Sequence, residues 1–192
     1  MIKKIFLITC LVTSLFAFEK NNIQEQMTQK IHKVLSILKD SSLKKKQRNE
    51  KIINIMDNSF DYNIMSMLSL GRTWKTISND QRKSFSKAFI ERLKESYIDK
   101  LELYNDQKIE INKLKQNKSR LILNTILIGK KENYPIDYKF YENKKANQWY
   151  IYDVNILGVS IIQTYRKQFD EYLKEKSIDD LIQYLKEKNS KA

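Results

Sequence analysis

Apolar residues recur every three or four positions at Ile23, Met27, Ile31, Val34, Leu35 and Leu38, which predicts a helix of about five turns with one apolar stripe. A second helix is predicted from Lys44 to Asn58, turning Ile52, Ile53, Ile55 and Met56 inward. Phe60-Asp61-Tyr62 opens a shorter one through Met65 and Leu68. It ends at Leu70-Gly71, where glycine suits the left-handed residue that closes a helix. Ser78 and Gln81 have the spacing of a capping box, and the helix they start carries Phe85, Phe89, Leu93, Tyr97, Leu101 and Tyr104.

Beyond that aromatic stripe the period falls to two. Ile109 and Ile111 alternate with polar residues, Arg120 to Ile128 alternates loosely, and Tyr134–Tyr141 and Trp149–Ile156 are rich in β-branched and aromatic residues. These runs predict a meander of four antiparallel strands, with Pro135 near a strand start, where a missing N–H is tolerated. Gly158 ends the last strand. Ser160 can cap a closing helical region striped by Ile162, Tyr165, Phe169, Tyr172 and Leu173, and Ser177 can cap its continuation through Ile178, Leu181, Ile182 and Leu185. Helices, then strands, then helices predict an α+β fold, with helices packed on one face of a curved, four-stranded antiparallel sheet.

The N-terminus stands apart. Lys3 and Lys4 precede an apolar run from Ile5 to Phe16 that is too short for a lasting membrane span, and Ala17 supplies the small residue of a cleavage site. We read residues 1–17 as a signal peptide and residues 18–192 as one exported domain. Cys10 is the only cysteine, so the mature chain holds no disulfide, thiol nucleophile or thiolate metal site.

Composition narrows the function further. Three Gly and one Pro exclude collagen-like and Gly-rich phosphate-loop classes, and one histidine, His32, leaves little for Ser-His-Asp catalysis or a multi-histidine metal site. No catalytic group, metal or cofactor is indicated. The formal charge of +13 is spread along the chain, and export argues against a nucleic-acid partner. Only Lys44-Lys45-Lys46-Gln47-Arg48 is dense, and it reads as a solvated helix start or a lipid-headgroup patch. Asp153 stands within an apolar strand, where a carboxylate needs a partner; Arg166, on the returning helix, can clamp it or contact a phosphate instead. Asp61 is read as a helix cap.

Two segments together resemble one family. Phe60-Asp61 with Met65, Leu70-Gly71 with Trp74, the Ser78–Gln81 helix start, Tyr152-Asp153-Val154, and Gly158-Val159-Ser160 followed by Tyr165-Arg166 and Gln168-Phe169 occur in the order and spacing of the MlaC family. That family comprises periplasmic phospholipid-binding shuttles, also described as toluene-tolerance auxiliary proteins. The chain departs from it at Met67, where the family often has a basic residue, and at Leu157, where it often has an acidic one.

The resemblance implies an apolar cavity between sheet and helices that holds phospholipid tails as cargo, with no other cofactor. It implies a monomer that exchanges lipid with an inner-membrane ABC transporter bearing an MCE-domain ring and with an outer-membrane lipoprotein–porin complex. The expected walls are Leu68, Leu70 and Trp74 beside the first motif and Phe85, Phe89, Leu93 and Tyr97 on the long helix. Tyr138, Phe140, Trp149, Ile151, Val154 and Ile156 would come from the strands, and Val159, Ile162, Tyr165 and Phe169 from the sheet's end and the helix after it. Arg72 and Arg166 are the headgroup candidates. The competing expectation is an exported adaptor whose apolar faces close on one another and which binds a protein partner without lipid.

Overall fold

A computed structural model describes residues 17–102, 108–129 and 132–190, with the side chains of 99, 100 and 102 left aside. The expected signal peptide up to residue 16, and Tyr104, lie outside the described residues. Helices come first: α1 (Ile23–Lys39), α2 (Lys45–Met56), α3 (Tyr62–Leu70), the short α4 (Thr73–Thr76) and α5 (Asn79–Glu102). Strands β1 (Lys108–Asn117), β2 (Arg120–Ile128), β3 (Asn133–Asn143), β4 (Gln148–Ile156) and β5 (Val159–Ser160) follow, then α6 (Ile161–Tyr172) and α7 (Ile178–Asn189). Among the described residues, no helix is long and apolar enough to cross a membrane.

The expected caps form. Ser78 N–H donates to Gln81 Oε1 at 3.1 Å and Gln81 N–H to Ser78 Oγ at 3.2 Å. Asp61 Oδ1 accepts from the Ile64 amide at 3.0 Å to start α3, and Ser160 and Ser177 do the same for α6 and α7. His32 is exposed on α1.

The sheet is an open antiparallel meander in the order β1-β2-β3-β4-β5. Among the described residues it has five strands, not the expected four. The extra one is two residues long: Leu157 (φ 53°) and Gly158 (φ 80°) make a tight turn that folds Val159 and Ser160 back onto Ile156 and Asn155. Phe18 and Phe60 bridge to Trp149 and Ile151 on the same side of β4, so that edge is covered. The other edge, β1, is guarded by the exposed lysines Lys108, Lys113 and Lys115.

Two bulges govern which residues share a face. Register shifts between Ile111 and Leu114, and Tyr152 is left unpaired where β3 meets β4, so Leu114 and Val154 return to the face of Ile111 and Ile151.

Two apolar clusters result. The first joins that sheet face to α1, α2, Phe18 and the end of α5, with Phe18 edge-on to Phe140 at 5.3 Å. The second is helical, built by α3, α5, α6 and α7, and its members include no strand residue. The helix α5 belongs to both: Phe85, Phe89 and Leu93 enter the helical cluster, whereas Tyr97, Ile98 and Leu101 reach the sheet.

Candidate functional site

The strand pairing lays the inner face of the sheet out in rows. Leu121, Phe140 and Ile151 form one; Leu114, Leu123, Tyr138 and Val154 the next; Ile111, Thr125, Ile136 and Ile156 a third; Ile109, Leu127 and Tyr134 the last. Cover fades along them. The first row is buried, with Leu121 at 4% and Phe140 and Ile151 at 0% exposure. In the third row only Thr125 is buried, and Ile109, Leu127 and Tyr134 are all half-buried. Thr125 is not left unsatisfied there, since its hydroxyl donates to the Ile136 carbonyl at 3.2 Å. Half-buried Leu35 and Leu38 of α1, Ile53 and Ile55 of α2, and Tyr97 and Leu101 of α5 pack on the same cluster. One end of the apolar face is thus sealed by helices, and the other leaves its apolar residues half-buried.

Two tyrosines of the sheet cluster, Tyr138 and Tyr97, have phenols shifted upward. Burial pushes the Tyr138 phenol up to about 12. Burial, then the Asp57 charge, raises Tyr97, whose hydroxyl is buried with no hydrogen-bond partner among the described residues. Burial also leads the upward shifts of Tyr62, which donates to Asp57 Oδ1 at 2.8 Å, and of Tyr141, which donates to Asp61.

A phenol raised in this way stabilises the fold fully below its ordinary pKa of about 10, and that stability is lost as pH rises through the folded value. For Tyr138 the window runs from about pH 10 to 12. In a spectrophotometric titration followed with circular dichroism, Tyr62, Tyr97, Tyr138 and Tyr141 are expected to ionise only as the helices melt. Eleven tyrosines ionising together near pH 10 with the fold intact would contradict this.

The expected wall residues divide between the clusters. Tyr97, Tyr138, Phe140, Trp149, Ile151, Val154 and Ile156 join the sheet cluster. Leu68, Leu70, Trp74, Phe85, Phe89, Leu93, Ile162, Tyr165 and Phe169 join the helical one. There Phe89 meets Tyr165 at 5.1 Å and Phe169 at 5.8 Å, and Phe85 meets Phe169 at 5.5 Å, all edge-on. With Phe85 and Phe89 at 0% and Phe169 at 4% exposure, these rings pack on one another. Val159 joins neither cluster and is 60% exposed.

The Asp153–Arg166 clamp does not form. The bulge at Tyr152 turns Asp153 onto the outer face opposite Lys139, whose Nζ donates to it at 3.0 Å. Ser160 Oγ at 2.7 Å and the Ile162 amide at 3.2 Å complete its partners, so Asp153 ties β3, β4 and the start of α6 together. Arg166 lies instead over the turn at Gly71 (φ 56°), where a Cβ would come within 2.8 Å of its guanidinium, and it is 3.8 Å from Asp170. Arg72 is exposed at the start of α4. Neither arginine stands on the inner face of the sheet. Ile109, Ile111, Leu114, Leu127 and Ile136, which the expected set did not include, share this inner face; their signal was the alternation of the first three strands.

An open antiparallel sheet with one apolar face partly covered by helices defines an α+β domain. The chain belongs to the MlaC family: the family model for MlaC protein matches residues 28–187. A relative from Haemophilus influenzae (strain ATCC 51907 / DSM 11121 / KW20 / Rd), the intermembrane phospholipid transport system binding protein MlaC, is 27% identical over 94% of this chain and 91% of its own length. The fold is shared with a phospholipid-binding protein from Ralstonia solanacearum, solved in complex with a phospholipid at 1.53 Å. That match has a TM-score of 0.74 at 20% identity and covers 88% of this chain and 97% of the other.

Proposed function

We propose that this protein is a periplasmic phospholipid carrier that holds acyl chains against the half-covered end of the inner sheet face. The observation that carries the reading is the fading cover along the rows, from Phe140 and Ile151 at 0% exposure to half-buried Ile136, Ile156 and Ile109. Acyl chains laid along these rows would cover the apolar surface that the helices leave. Diacyl tails bring about 30 methylene groups at ~0.8 kcal/mol each, so leaving them wet costs roughly 20 kcal/mol, and a carrier crossing water must cover them. The walls are Tyr97, Tyr138, Val154 and Ile156 of the expected set, joined by Ile109, Ile111, Leu114, Leu127 and Ile136. The helical cluster supplies the rigid body beside them.

On this reading the signal peptide exports residues 18–192, and a monomer exchanges lipid with an inner-membrane ABC transporter carrying an MCE ring and with an outer-membrane lipoprotein–porin complex, maintaining outer-membrane asymmetry. Arg72 and Arg166 are candidates for the headgroup phosphate. Organic extraction of the purified mature protein tests the reading. About one phospholipid per protein is expected, and an empty protein of full thermal stability would favour the lipid-free adaptor.

A further inference from the structure

We infer that a groove along the outer side of α5 is a docking site for an acidic segment of a partner protein. The groove has a volume of about 850 Å³ and runs beside Trp74, Arg82, Lys83, Lys87, Glu91 and Lys94. Its lining spans α5 from Asn79 to Lys94, a length of about 22 Å at the helical rise. Four cations and one carboxylate line the strip, with Asp57 and Asp80 beside Lys94 and Lys83. The carboxylate is already engaged, since Glu91 accepts from the Asn189 side-chain amide at 3.3 Å.

Two of the cations serve the fold. Lys94 pairs with Asp57 at 2.5 Å, and Arg82 donates to the Trp74 carbonyl at 2.9 Å and to Asn79 Oδ1 at 3.1 Å while lying 5.7 Å from the Trp74 ring centre. The other two do not. Lys83 is 4.0 Å from Asp80, with both side chains more than four-fifths exposed, and Lys87 makes no ion pair or hydrogen bond among the described residues. Lys87, and Lys83 with only its long, exposed contact to Asp80, leave their charge accessible to a partner.

The shape selects that partner. A single phosphate would use only one point of the strip. A protein segment with spaced carboxylates matches both the length and the sign, and charges of this kind steer encounter and fix register. A half-buried tryptophan under an arginine gives such a segment an anchor of the type that dominates binding energy at interfaces. The Leu70-Gly71-Arg72-Thr73-Trp74 motif thereby acquires a role apart from the sheet face, and the inference stands whether or not the cargo is lipid.

The test uses the full mature protein and a fluorescein-labelled twelve-residue peptide of glutamate, alanine and two leucines, with a lysine counterpart and phosphatidylglycerol vesicles as comparisons. The acidic peptide is expected to bind saturably at low salt and to weaken as salt screens the charges. Binding should fall at least ~10-fold in the K83E/K87E variant at unchanged melting temperature and lipid content, because both lysines are exposed. Trp74 emission should change on binding and the change should vanish in Trp74→Phe, since Trp149 is buried at 6% exposure. Absence of peptide binding, equal binding by K83E/K87E, or engagement of the groove by vesicles in place of the peptide would each overturn the inference.

Discussion

Ile136→Asp is expected to strip the protein of phospholipid, lowering the amount co-purified at least ~10-fold while the fold survives. The argument rests on where Ile136 lies and how little of the fold depends on it. It stands between Thr125 and Ile156 on the inner face and is half-buried, so the empty protein can hydrate a carboxylate there. With hydrocarbon seated on the same row the carboxylate would lose its water, and a desolvated unpaired charge costs several kcal/mol. Aspartate is the better probe than lysine, whose long stem would carry its charge out to solvent. Loss of partial burial and of β-propensity together should cost about 2 kcal/mol of stability. Ile122→Asp is the matched control, because Ile122 pairs with Lys139 and is half-buried on the opposite face. Equal lipid retention by the two variants would remove the assigned face from consideration.

Asp153→Ala should be the most damaging single change to stability outside the apolar clusters. The carboxylate is 5% exposed and accepts three hydrogen bonds from Lys139, Ser160 and the Ile162 amide. Removing it strands the ammonium of Lys139, whose side chain is 23% exposed, and takes an anion from the N-terminus of α6. Breaking a buried pair costs 3–5 kcal/mol, and the residual exposure of Lys139 places this case at the lower end, about 3 kcal/mol. That corresponds to a fall of roughly 6–12 °C in melting temperature for a chain of this size. Asp153→Asn, which keeps an acceptor for α6, should lose less, and Lys139→Met combined with Asp153→Ala should recover part of the loss. A melting temperature within two degrees of the parent, about 0.5–1 kcal/mol, would show that these three hydrogen bonds carry no weight.

Much of the architecture was legible because local rules and tertiary packing agree. The stripe from Ile23 to Leu38 becomes α1, and Ser78 with Gln81 opens α5 as their spacing implies. What stayed hidden depends on register. The β5 strand is two residues long, and its turn places Leu157 at positive φ, where asparagine or glycine would have announced it. The Tyr152 bulge makes Ile151 and Val154 share a face three positions apart, so simple alternation misassigns Asp153, and its true partner Lys139 is set by strand pairing. The long α5 stripe looks uniform in sequence, yet its first half is sealed among phenylalanines and its end meets the sheet. Apolar spacing reports that a side chain is covered. It does not report which layer covers it, and that distinction separates a lipid wall from a solid core.

Photocrosslinking addresses the central claim most directly. A benzophenone side chain placed at Ile111 or Tyr138, on the inner face, should capture co-purified phospholipid on irradiation, whereas the same group at Ile122 or Tyr152 should not. Capture at all four positions, or at none of them in protein that carries lipid, would contradict the placement of cargo on the inner face of the sheet.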